Sequence, residues 1–252
     1  MTGPHLTVLT GASRGLGLAM AQQLLARGHR VLAIARRRTE LPVPNGADLQ
    51  CWTADLADAS GVADRLQTWL ASQAQQAGAT PASATLINNA GVVSQLAPLS
   101  ELQAADLANA LRVGLEAPML LSAAFLRATA HWGVPRKVLM VSSGLGRRAM
   151  AGSASYCAAK AGLDHLARAL ALEEATKPHG ARVVSLAPGI IDTDMQVQLR
   201  GADETLFPER ARFAGFKEGG LLASPQDAAA AVLGYLDRAD FGANPVADVR
   251  DA

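Results

Sequence analysis

The sequence predicts a single α/β domain, residues 1–252, built on a doubly wound parallel sheet. Three observations carry that expectation. Short β-prone runs alternate with longer helical patterns along the 252-residue chain. The first β-prone run leads directly into a glycine-rich loop and then a helical pattern. No internal repeat, linker or low-complexity tail divides the chain.

The elements follow in order. Leu6-Thr7-Val8-Leu9 is the first strand, and the helix after the glycine loop runs to about Arg27. Arg30 to Ala35 is the second strand, and Leu41 to Ala47, with proline and glycine, is a loop. Gln50 to Thr53 is a short third strand ending at Asp55-Leu56, and Gly61 to Ala77 is helical in pattern. Ala84 to Ile87 is the fourth strand. Glu101 to Ala130 reads as a long helical region interrupted at Pro118. Val138 to Val141 is the fifth strand, joined by a small-residue loop to an Ala/Leu-rich helix. That helix stops near Thr176, before Pro178, which lacks a backbone donor. Arg182 to Leu186 is the sixth strand. Asp194 to Ser224 is expected to be irregular and charged, Pro225 to Arg238 helical, and Val246 to Val249 a short final strand.

A net charge of +1 gives no sign of a nucleic-acid or acidic-membrane partner. Half of the residues are apolar, yet no unbroken apolar run approaches the ~18 residues of a membrane span. The opening Met1-Thr2-Gly3-Pro4-His5 has no signal-peptide architecture. Cys51 and Cys157 form neither a framework nor a CxxC pair, so free thiols in a reducing cytoplasm are expected. None of the five histidines sits in a metal-ligand pattern, and no metal is expected.

Two stretches carry chemistry. In Thr10-Gly11-Ala12-Ser13-Arg14-Gly15-Leu16-Gly17, the glycines permit a tight turn and close approach of a pyrophosphate, which the helix N-terminus favours. The second strand ends in Arg36-Arg37-Arg38, where an NAD site usually has an acid for the ribose 2′-hydroxyl. Arginine instead suits a 2′-phosphate through planar paired donors, and Arg14 is placed to reach it too. The other reading of this tripeptide is a solvated basic turn. The second stretch is Lys137 to Thr176. Tyr156 and Lys160 are four apart and share a helix face. An ammonium held close would stabilise a phenolate, whose free pKa is about 10. Ser143, at the mouth of the preceding strand, offers a hydroxyl to a substrate oxygen. Asp192 and Asp194 read as capping or hinge residues rather than an acid/base pair.

Ser143, a gap of about a dozen residues, and then Tyr156-x-x-x-Lys160 resemble the signature of the short-chain dehydrogenase/reductase family. The GxxxGxG spacing of Gly11, Gly15 and Gly17 after Thr10 is similar to that family's loop, and Asn88-Asn89-Ala90-Gly91 is similar to its NNAG motif. Thr10 to Gly17, Tyr156 to Asp164 and Pro188 to Gln196 look most like the sepiapterin reductase and benzil reductase branch.

The resemblance implies a Rossmann-type fold and NADP(H). The glycine-loop residues, Asn89-Ala90-Gly91, and Arg36 and Arg37 would bind it. Asp55, with Leu56, would take the adenine amino group; capping the next helix is a compatible role for Asp55. Pro188, Gly189, Ile191 and Thr193 would lie at the nicotinamide carboxamide. The implied reaction is NADPH-dependent reduction of a ketone or diketone. In it Ser143 orients the carbonyl, Tyr156 donates the proton, and Lys160 lowers the Tyr156 pKa and binds the ribose. The implied assembly is a homodimer or homotetramer.

Two departures qualify this. Val113-Gly114-Leu115-Glu116-Ala117-Pro118 has glycine where the family carries a water-holding Asn. This keeps open an NADP-binding regulatory protein with impaired turnover. Sepiapterin reductases anchor pterin with an Asp near the C-terminus, and Asp248 lies in that region without a firm correspondence. Phe207, Phe213 and Phe216 cluster within residues 194–224, as a substrate lid or as a subunit contact.

Overall fold

The computed structural model describes residues 3–76 and 81–251. Met1, Thr2, Ala77 and Ala252, included in the sequence-based boundaries, lie outside the described residues. The strands are β1 (Leu6–Thr10), β2 (Arg30–Ala35), β3 (Asp48–Thr53), β4 (Ala84–Asn88), β5 (Arg136–Val141), β6 (Arg182–Ala187) and β7 (Val246–Asp248). All pair parallel in one sheet, in the order β3-β2-β1-β4-β5-β6-β7. The order reverses between β1 and β4, and the crevice at such a switch point is where open α/β sheets bind ligands.

Alternation within the strands assigns the two faces. Val8, Leu32, Ile34, Leu86, Val138 and Met140 face one helix layer, α2 (Ala59–Gln76), α4 (Ala117–Thr129) and α5 (Ala154–Ala175). Leu9, Val31, Ala33, Ile87, Leu139 and Val141 face the other, α1 (Gly15–Ala26) and α8 (Pro225–Asp237). Because both faces are covered, the central strands β1, β2 and β4 read as nearly continuous apolar runs, whereas the edge strand β3 alternates exposed polar and more buried residues. Among the described residues no helix is long and apolar enough to cross a membrane.

Two expectations are corrected. The helical region after Glu101 is not broken at Pro118. Helix α3 (Ala104–Leu111) passes into a π-helical turn, Arg112–Glu116, and that turn into α4. Pro118 is the second residue of α4, directly after the π-helical turn, and the helix runs on through it. Residues 194–224 are also not irregular throughout. They hold α6 (Asp194–Arg200) and α7 (Arg210–Glu218), stacked around buried Phe207 and Phe213.

Candidate active site

The loops after β1 and β4 are locked together at the switch point. The Asn89 and Ala90 N–H groups donate to Thr10 Oγ1 at 2.9 and 3.0 Å. Asn89 Nδ2 donates to the Thr10 and Gly11 carbonyls at 2.9 and 3.3 Å. This leaves no room for side chains. A Cβ on Gly17 would stand 2.1 Å from the Gly11 carbonyl oxygen, and one on Gly11, at φ +69°, 2.9 Å from Ala90 Cα. At the start of α1 no side chain caps the free N–H groups and no acid lies in the first turn. That end of the helix therefore keeps its positive dipole for an anion. Thr193 lies across the loop, its Cγ2 3.3 Å from where a Gly15 Cβ would be.

The structure places the remaining predicted cofactor residues as follows. Arg36 and Arg37 follow β2, exposed and without an ion-pair partner among the described residues. Arg14 pairs with Asp194 at 2.6 Å; the pair is highly exposed, so opening it costs little. Asp55 accepts the Ala57 N–H at 3.0 Å as a cap, beside buried Leu56. Asp192 pairs with Lys217 and approaches Arg200, and Ile191 bridges to Ala223, which ties the Pro188-Gly189 loop to the end of α7. Asp248 is held by Arg250 through both carboxylate oxygens.

Ser143 caps the short turn Gly144–Gly146, its oxygen accepting the Leu145 N–H at 3.2 Å. Tyr156 and Lys160 rise from the first turns of α5. Burial pushes the Tyr156 phenol up to about 12, and a hydrogen bond with Ser143 opposes the rise. By surface area Tyr156 is half-buried, but protein surrounds its hydroxyl end, and burial there decides the shift. Burial brings Lys160 down to about 8, against support from Asp164. The Lys160 ammonium donates to the Val141 carbonyl at 2.7 Å and lies 5.5 Å from the Tyr156 ring centre. In this structure burial is the largest influence on Tyr156 and Ser143 opposes it, while the Lys160 ammonium is engaged by the Val141 carbonyl.

Gly114 sits in the π-helical turn with its missing Cβ 3.0 Å from Ala159 Cβ, so the turn packs directly on α5. Sequence reasoning passed over Asp164, buried one helical turn after Lys160, and Arg147, which approaches it at 3.2 Å. The available signal was a lone acid at i+4 on the face that carries Lys160.

The sheet order and the glycine loop define a Rossmann-type α/β protein. Within that class the chain belongs to the short-chain dehydrogenase/reductase family of oxidoreductases, with a family model for short chain dehydrogenase matching residues 5–204. It is 32% identical to a benzil reductase ((S)-benzoin forming) of Bacillus cereus, over 93% of this chain and 94% of the relative. It is 30% identical to an NADPH-dependent pterin aldehyde reductase of Arabidopsis thaliana, over 79% and 80%. The solved KRED1-Pglu enzyme superposes with a TM-score of 0.79 at 26% identity, covering 96% of this chain and 99% of that one. A putative 2-deoxy-D-gluconate 3-dehydrogenase from Agrobacterium tumefaciens, with bound NADP, gives 0.78 at 28% identity, over 99% and 95%.

Proposed function

We propose that this protein is an NADPH-dependent reductase of ketones or diketones. The observation that carries the reading is the convergence of Ser143, Tyr156 and Lys160 beside a glycine loop in which added Cβ atoms would clash. The residues present fit a dinucleotide. The loop and the uncapped start of α1 suit its pyrophosphate, and Arg36 and Arg37, without an ion-pair partner among the described residues, suit a 2′-phosphate. NADPH would supply hydride to the carbonyl carbon.

The protein's own contribution is positioning and proton delivery. Ser143 holds the carbonyl oxygen, and a phenol pushed up to about 12 stays protonated at ordinary pH, ready to give its proton to that oxygen. The Lys160 ammonium, held by the Val141 carbonyl, adds positive charge near the oxygen that gains negative charge. Asn89-Ala90-Gly91, Asp55 with Leu56, and Pro188, Gly189, Ile191 and Thr193 complete the proposed cofactor site. Helix α7, through Phe213 and Phe216, and the segment between α6 and α7, through Phe207, supply a lid. Exposed Met119 on α4 and Leu172 on α5 support pairing of copies, and the free thiols Cys51 and Cys157 support a cytoplasmic setting.

The test is NADPH oxidation with a panel of diketones. Tyr156→Phe should lose at least about 100-fold in kcat while NADPH binding is retained. Near-normal turnover by that variant would overturn the mechanism. A wild-type protein that binds NADPH tightly but reduces none of the panel would instead favour the regulatory reading. Gly114 is the observation behind that alternative, since Ala159 leaves little space for a water-holding side chain there.

A further inference from the structure

Asp164 is only 2% exposed, and the mechanism above makes no use of it. A buried carboxylate is costly unless its oxygens are hydrogen-bonded. Here the donors come from three separate places. Ser142 Oγ, just past the end of β5, and Ser185 Oγ, on β6, each donate to Asp164 Oδ1 at 2.7 Å. Arg147 Nε donates to Asp164 Oδ2 at 3.2 Å. Gly146 leaves room for the same oxygen, since a Cβ there would stand 2.9 Å from it. Ser142 directly precedes Ser143, and Arg147 directly follows the turn that Ser143 caps. One carboxylate thus grips the loop at both ends, with Ser143 between them. Arg147 extends the grip, its Nη2 donating to the Ala247 carbonyl on β7 at 2.7 Å.

We propose that Asp164 is a positioning residue that clamps the loop from Ser142 to Arg147 and so aims the Ser143 hydroxyl at the site shared with Tyr156. The inference rests on the reductase reading of Ser143, Tyr156 and Lys160. Asp164 touches no reacting atom itself. Its charge, one turn from Lys160, also supports that ammonium against the effect of burial.

The test compares wild type, Asp164→Ala, Asp164→Asn and Arg147→Ala by hydrogen exchange of segment 142–147 and by steady-state kinetics with NADPH and benzil. Asp164→Ala should speed exchange of the loop by at least about tenfold while the β5 amides keep their protection. Its kcat should fall by about 10- to 100-fold with KM for NADPH unchanged, because misplacing a catalytic hydroxyl costs turnover rather than cofactor affinity. Asp164→Asn retains the acceptor for both serines and should restore part of kcat. Arg147→Ala should loosen the end of the loop beyond Gly144 alone. Unchanged loop exchange in Asp164→Ala overturns the clamp. So does faster exchange with normal kcat per folded molecule, the outcome of a merely structural role. If Asp164→Ala does not fold, the Asn and Arg147 variants decide by the same two readouts. If wild type reduces no carbonyl, the reductase reading fails, and the exchange measurements alone judge the clamp.

Discussion

Arg36 and Arg37 are the two side chains on which the proposed cofactor preference turns. Both are exposed and lack an ion-pair partner among the described residues. Each could give a 2′-phosphate a charge-assisted hydrogen bond, typically about 1.5–3 kcal/mol. Replacing both with Ala should raise the KM for NADPH by roughly 100-fold and that for NADH by less than about threefold. Equal losses for the two cofactors would show that the tripeptide is a solvated turn. Arg14 is the weaker candidate, because it must first leave Asp194. The glycine loop and the Ser143, Tyr156 and Lys160 set were legible because their spacing is dictated by backbone geometry. The state of Tyr156 was not. Its pKa depends on how much water the fold removes, and four-residue spacing cannot report that.

Elements differ in how plainly the chain announces them. β2 spans Arg30–Ala35 in sequence and structure alike, since an apolar run between turn residues has few other ways to fold. The π-helical turn at Arg112–Glu116 left no periodic trace, and Pro118 looked like a break because its place in the first turn of α4 is a tertiary fact. α6 and α7 are short and rich in charge, so their helical period is weak. The useful hint was Phe213 and Phe216, three apart, which meet edge to face with centres 5.7 Å apart. Phe213 is buried against Phe207, whereas Phe216 is only partly buried at the margin of that cluster. This divides the proposed lid into anchor and wall. Phe216→Ala should raise the KM for a diaryl diketone about tenfold and leave that for NADPH within about twofold. Phe213→Ala should in addition destabilise the protein by about 3 kcal/mol, read by urea unfolding. Normal kinetics with bulky diketones after both changes would mean that α7 does not face the substrate.

At the scale of the whole molecule, the two ends of the sheet do different work. The carboxyl ends of the strands hold the candidate site. The opposite end holds a stacked pair, His5 and His29, with ring centres 5.0 Å apart. Burial brings His29 down to about 4, with further lowering from His5 and Arg27 against an opposing effect of Asp237. A folded-state pKa below the ordinary 6.5 means that the unfolded chain binds the extra proton first as pH falls. The stability contributed by neutral His29 is therefore complete above about pH 6.5 and is lost as pH falls toward about 4. Because His29 is only half-buried, solvent screening reduces this to on the order of 1 kcal/mol. His29→Gln should flatten the fall in unfolding free energy over that interval, and an unchanged slope would locate the acid sensitivity elsewhere. The contact from Arg147 to the Ala247 carbonyl has a consequence for how the protein comes into being. A nascent chain that has grown only to residue 245 already contains Ser143, Tyr156 and Lys160, but not the strand that anchors Arg147. A polypeptide released there would keep the signature and the Asp164 carboxylate that holds the loop, but Arg147 would have lost its outer tether to the last strand of the sheet.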